Sequence, residues 1–292
     1  MKIAIFSANM GPCSTPEAVA QVAQTAEAAG FESIWAGEHV VLPEPQTPPS
    51  PLPANYPMLD PTVTFAFVAG QTKTIRMGTG IIILPQRNPL VLAKELASLD
   101  VLSNGRLIFG VGIGYLKPEF DALGIPFDNK GPRTVEYVEA MRAIWSQDKP
   151  AYQGKFVSFG GVLALPRPVQ KPGPPVVFGG MTPFAFRRSI SHGNGWYGFA
   201  LNVEGARKCL EGLKAAAKEV ARPKELGELE ISVTPAGPIN LDTAKQFADL
   251  GVHRLILLPK GASESELFAL NLTVADVTNY VRKIGETLVG RV

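Results

Sequence analysis

Two titratable side chains stand side by side in Trp35-Ala36-Gly37-Glu38-His39, directly after a short apolar run. A histidine exchanges its proton near neutral pH, so at this place it can donate to a ligand ring or shuttle a proton. A structural histidine bonded to backbone is the competing reading, and residue type alone leaves both open. A second candidate is Gly110-Val111-Gly112-Ile113-Gly114-Tyr115, whose alternate glycines let a flat ligand approach the backbone. The same glycines would equally relieve crowding where strands converge. Their spacing is not Gly-x-Gly-x-x-Gly, so the dinucleotide fingerprint is absent. Third, Gly179-Gly180-Met181-Thr182 precedes a helical stretch, and free N–H groups at a helix start bind phosphate. Arg187 and Arg188, one turn on, either add charge there or lie on the surface. Fourth, Gly80 interrupts the apolar run Thr79-Gly80-Ile81-Ile82-Ile83-Leu84-Pro85, marking a bulge or a ligand pressed against the chain.

Other chemistries find little support. Cys13 and Cys209 are the only cysteines, too few for a disulfide framework or zinc cluster, and His39, His192 and His253 lack metal-ligand spacing, so no metal is expected. A net charge of +2 with scattered Lys and Arg argues against nucleic acid and anionic lipid. The apolar runs are too short to span a membrane, and Met1-Lys2-Ile3-Ala4-Ile5-Phe6 enters a strand without a signal-peptide pattern. A cytoplasmic protein acting on a small molecule is expected.

What must position these residues is a repeating βα pattern. Apolar runs at 3–7, 32–36, 76–83, 107–112, 176–179, 196–199, 230–234 and 254–258 predict eight strands. Helical periodicity follows at 15–29, 60–71, 89–102, 133–145, 183–191, 203–221, 241–250 and 274–288. Eight units close an α/β (β/α)8 TIM barrel over 1–292 as one domain, whereas a doubly wound open sheet more often stops at five to seven strands. In a barrel the C-terminal strand ends share one mouth, which gathers all four candidates. The segment 43–61, rich in proline, can be neither helix nor inner strand; it reads as a solvated linker, a dimer contact or an active-site wall, and the expectation tested below is that it covers that mouth. Residues 152–165 read as an inserted hairpin that packs Phe156 and Phe159 onto the barrel.

Together these stretches resemble the luciferase-like flavin-dependent oxidoreductases, and more closely the branch that uses the deazaflavin coenzyme F-420. The resemblance spans nearly the whole chain. It rests on Trp35 to His39, Met77-Gly78-Thr79-Gly80, Asn88-Pro89, Leu99-Asp100-Val101-Leu102-Ser103-Asn104-Gly105-Arg106, Gly110 to Tyr115, Glu119-Phe120, Leu123-Gly124 and Gly193-Asn194-Gly195-Trp196. It implies a non-prolyl cis peptide at Gly80–Ile81 supporting the cofactor ring. His39 would lie beside that ring, with Glu38 orienting His39 or the loop. Gly112, Ile113, Gly114 and Tyr115 would flank the ring, and Gly179, Gly180, Met181 and Thr182 would hold a phosphate. Tyr115 and Trp196 are the expected substrate wall.

Tyr115 stands where sugar-phosphate dehydrogenases of the family carry a carboxylate, and Met181 where a polar residue is usual. Ile113 stands where FMN-using relatives place an arginine, which favours F-420 over FMN. Lys260 or Arg187 would then meet the coenzyme's acidic tail. The reading is hydride transfer between F-420 and a small organic substrate. The alternatives are an FMN-dependent monooxygenase fed by a separate reductase and a non-catalytic cofactor carrier. A homodimer is left open.

Overall fold

Four helices begin with the same two-residue device. Thr15, Asp60, Asn88 and Thr182 each place a side-chain oxygen on free N–H groups of the first turn, and a proline follows as the first helical residue. They open α1 (Pro16–Ala28), α2 (Pro61–Gln71), α3 (Pro89–Leu102) and α6 (Pro183–His192). The other helices are α4 (Lys117–Ala122), α5 (Lys130–Ser146), α7 (Val203–Glu219), α8 (Leu241–Asp249) and α9 (Val274–Thr287). The short α4 lies in a stretch that the sequence reading leaves as loop. All this comes from a computed structural model, which describes residues 1–6, 8–259 and 272–292.

The strands form one closed parallel barrel. Its members are β1 (Lys2–Ile5), β2 (Ser33–Ala36), β3 (Arg76–Thr79), its continuation β4 (Ile82–Ile83), and β5 (Leu107–Gly112). They continue with β8 (Val176–Gly179), β9 (Gly195–Leu201), β10 (Glu230–Pro235) and β11 (Arg254–Leu257). The order runs β3-β2-β1-β11-β10-β9-β8-β5, and pairing of Met77 with Leu107 closes the ring. With β3 and β4 counted as one interrupted strand, this is the eight-stranded (β/α)8 barrel. The inserted hairpin pairs β6 (Tyr152–Gln153) with β7 (Ser158–Phe159). Phe159 packs against the core, and Arg133 lies over the Phe156 ring at 5.3 Å.

Strand alternation divides the core into two layers. Ala4, Trp35, Ile108, Val177, Tyr197 and Ile256 fill the lumen. Ile5, Ile34, Phe109, Phe178 and Trp196 point outward, under the helices. The bottom of the lumen is closed by Arg254, fully buried, whose Nε donates to Glu32 at 2.8 Å and whose Nη1 pairs with Glu230. Its guanidinium sits 5.6 Å from the Trp35 ring, so the lower end of the lumen is a packed plug.

Candidate functional site

Beyond β2 the chain passes through Gly37 and Glu38 to His39, whose ring is held on both edges. Nδ1 lies 3.2 Å from Oε2 of Glu119, and Nε2 lies 3.2 Å from the Tyr115 hydroxyl. Oε1 of Glu119 accepts the Val40 N–H at 2.6 Å, so one carboxylate fixes both the ring and the backbone beyond it. The Glu119 side chain is wholly buried and that of His39 is 9% exposed. Glu119 faces the Nδ1 edge and the Tyr115 hydroxyl faces the Nε2 edge, so both ring nitrogens have a polar partner. The ring is thereby held in one orientation where it lines the cavity at the barrel mouth.

Glu38 points elsewhere, which corrects one of the two roles expected for it. It makes no hydrogen bond to His39; its Oε2 accepts the Ile83 N–H at 2.6 Å and its Oε1 pairs with Arg87, which continues to Asp60 at 2.6 Å. The two adjacent side chains thus diverge, Glu38 toward β4 and His39 toward α4. Burial pushes the Glu38 carboxyl upward, opposed by the Arg87 charge and the Ile83 N–H. Glu38 thus ties the end of the proline-rich loop to β4 rather than steering the histidine.

The Gly80–Ile81 peptide is cis. The Ile81 side chain lies over Gly112 and Gly179, so that a Cβ on Gly112 would collide with it and one on Gly179 would lie 3.3 Å away. Gly110 faces a different neighbour, because a Cβ there would run into the Thr79 carbonyl oxygen. Of the alternating glycines, Gly110 therefore lets strands converge, whereas Gly112 and Gly114, with Ile113 and Tyr115, line the cavity. Gly179, Gly180, Met181 and Thr182 line it from the α6 side.

Trp196 is not a substrate wall. It is fully buried in the outer layer, packs on Phe186 with ring centroids 5.9 Å apart, and donates Nε1–H to the Gly180 carbonyl at 2.7 Å. It supports the 179–182 turn from behind. Its strand neighbours on the opposite phase, Tyr197 and Phe199, face the cavity, and the period of two would have found them had the strand's inward phase been assigned. Arg187 takes the surface place that the sequence left open, pairing with Glu219 at 2.6 Å, while Arg188 lines the cavity. Lys260 lies outside the described residues.

The cavity holds about 580 Å3, within the roughly 300–1,000 Å3 usual for ligand sites. Pro49, Pro51, Leu52 and Met58 of the proline-rich loop form one wall, with Leu52 and Tyr56 buried beneath it. Phe6, Met10, Ile81 and Phe199 add apolar surface. Apolar faces, the glycine turn at Gly179 and Gly180, and one cationic side chain suit a flat ring system that carries an anion. Another hollow, of about 670 Å3, lies on the outer surface between α1 and α9 and gathers none of these groups. Among the described residues no cluster of His, Cys, Asp and Glu could hold a metal, and no helix is long and apolar enough to cross a membrane.

The model of the luciferase-like monooxygenase family matches residues 1–259. An uncharacterised protein of Mycobacterium tuberculosis is 31% identical over 264 residues, covering 87% of this chain and 89% of that one. An FMNH2-dependent dimethylsulfone monooxygenase of Pseudomonas putida is 31% identical over 170 residues, 57% of this chain and 46% of that one. The fold is shared with an F420-dependent secondary alcohol dehydrogenase solved with an F420-acetone adduct, at 17% identity, a TM-score of 0.78 and 98% coverage of both chains.

Proposed function

Because the chain belongs to the luciferase-like monooxygenase family, we propose that it is an oxidoreductase working with the deazaflavin coenzyme F-420 on a small, uncharged organic molecule. The observation that carries this reading is His39 held between Glu119 and Tyr115 at the mouth. When bound, the coenzyme supplies hydride exchange. Interconverting a carbonyl and an alcohol also moves a proton, and that task falls to Nε2 of His39, positioned through Glu119. The apolar wall of Phe6, Met10, Leu52 and Phe199 keeps water from the reacting atoms and selects an apolar substrate. Gly179, Gly180 and the start of α6 receive the phosphate.

An FMN-dependent monooxygenase is the second reading, favoured by the P. putida relative's named dependence on FMNH2. The test is anaerobic incubation with F-420 and a panel of small alcohols and ketones, following the coenzyme's absorbance. The proposal expects turnover with F-420 alone. Turnover only with FMN, a flavin reductase and oxygen would replace it with the monooxygenase, and turnover in neither assay would favour a carrier.

A further inference from the structure

Two consecutive arginines on α6 meet opposite fates. Arg187 is neutralised by Glu219 and stacks on Phe184 at 4.8 Å, outside the barrel. Arg188 turns toward the cavity and the start of α5, where a Cβ on Gly131 would lie 3.1 Å from its Nη1. It is half-buried, and among the described residues its guanidinium has neither a hydrogen bond nor an ion pair. By contrast, Arg87, Arg106, Arg133, Arg142, Arg222 and Arg254 all donate from their guanidinium groups to protein oxygens. Withdrawing a charge from water without a partner is unfavourable, and a planar fork of donors is the side chain best matched to phosphate. Burial lowers the Arg188 pKa, in keeping with a cation that lacks its anion.

No other described group in the cavity supplies this charge. Glu38 is already paired with Arg87, and His39 is engaged by Glu119 and Tyr115 across the mouth. We propose that Arg188 is the residue that holds the coenzyme's phosphate, clasping it against the 180–182 turn at the start of α6. This rests on the cofactor reading above. The cation absent at Ile113 is thereby supplied from a different element, so the phosphate is bound from the α6 side of the mouth. The phosphate comes either from the phosphodiester of the deazaflavin or from the monoester of FMN.

Fluorescence titration separates these cases with four ligands: F-420, its phosphate-free deazaflavin alcohol, FMN and riboflavin. Arg188→Gln should weaken the phosphate-bearing member of the bound pair about ten- to a hundredfold and leave the phosphate-free member unchanged. Arg188→Lys, which keeps the charge without the fork, should recover part of the loss. Whether the loss falls on F-420 or on FMN identifies the source of the phosphate. Equal losses for both members of a pair, or no loss in an Arg188→Gln protein of unchanged circular dichroism, would overturn the assignment while leaving the cofactor reading standing. Wild-type protein that binds none of the four would overturn both.

Discussion

Nδ1 of His39 lies 3.2 Å from Oε2 of Glu119, a carboxylate eighty positions away in the chain. Glu119 does not line the cavity, so its part is positioning. Glu119→Gln keeps one acceptor, for the Val40 N–H or the ring but not both, and should lower kcat about tenfold or more with cofactor affinity unchanged. Glu119→Asp should restore part of it. His39→Ala should cost about 10²–10⁴ in kcat, with little loss of melting temperature. Parallel losses of kcat, cofactor affinity and melting temperature would make the pair structural.

Much of the fold was legible because its signals are local. Caps followed by proline mark helix starts, and β-branched runs mark strands, so α3, β5 and β8 appear at their predicted limits. What local patterns cannot supply is phase and long-range contact. Trp196 and Tyr197 are both aromatic on one strand, and only barrel closure decides which faces in. Arg187 and Arg188 differ by about 100° around a helix, enough to place one on Glu219 and the other on the cavity. Glu119 stood within a stretch of family resemblance, but no spacing rule links it to His39.

The proline-rich loop should resist proteolysis between residues 43 and 61, because Leu52 and Tyr56 anchor it in the lumen layer and Arg87 clamps its end through Asp60. Limited digestion should cut elsewhere first, and bound cofactor should slow cleavage further. Rapid cutting in this segment, indifferent to cofactor, would show that it does not cover the mouth.

Two glycine substitutions should have opposite signs. Gly110→Ala drives a methyl into the Thr79 carbonyl where β3 and β5 cross, and should destabilise by about 3 kcal/mol or more. Gly70→Ala, in α2 with nothing within 4 Å of the new methyl, should stabilise by about 0.5–1 kcal/mol. Denaturant melts of the two variants check this directly.

Acid should loosen the contact between α1 and the chain entering β3. Burial alone would raise the Glu27 carboxyl, but the N–H groups of Thr74, Ile75 and Lys73 outweigh it and hold the group at about 2. A depressed folded value means that the stabilisation is complete above the unfolded glutamate value of about 4.3 and disappears as pH falls from there toward 2. Glu27→Gln should flatten this part of the stability profile, and an unchanged slope would place the acid sensitivity elsewhere.

The ring system that the mouth accepts decides between the two cofactor readings. One guanidinium at α6 balances the single negative charge of the F-420 phosphodiester, whereas the FMN monoester brings about two near neutral pH into an apolar cavity with no second free cation among the described residues. The decisive measurement is the pair of dissociation constants for F-420 and FMN on the same preparation, by fluorescence titration. F-420 should bind at micromolar concentration or tighter and FMN at least about tenfold more weakly. FMN binding more tightly than F-420 would contradict the F-420 reading.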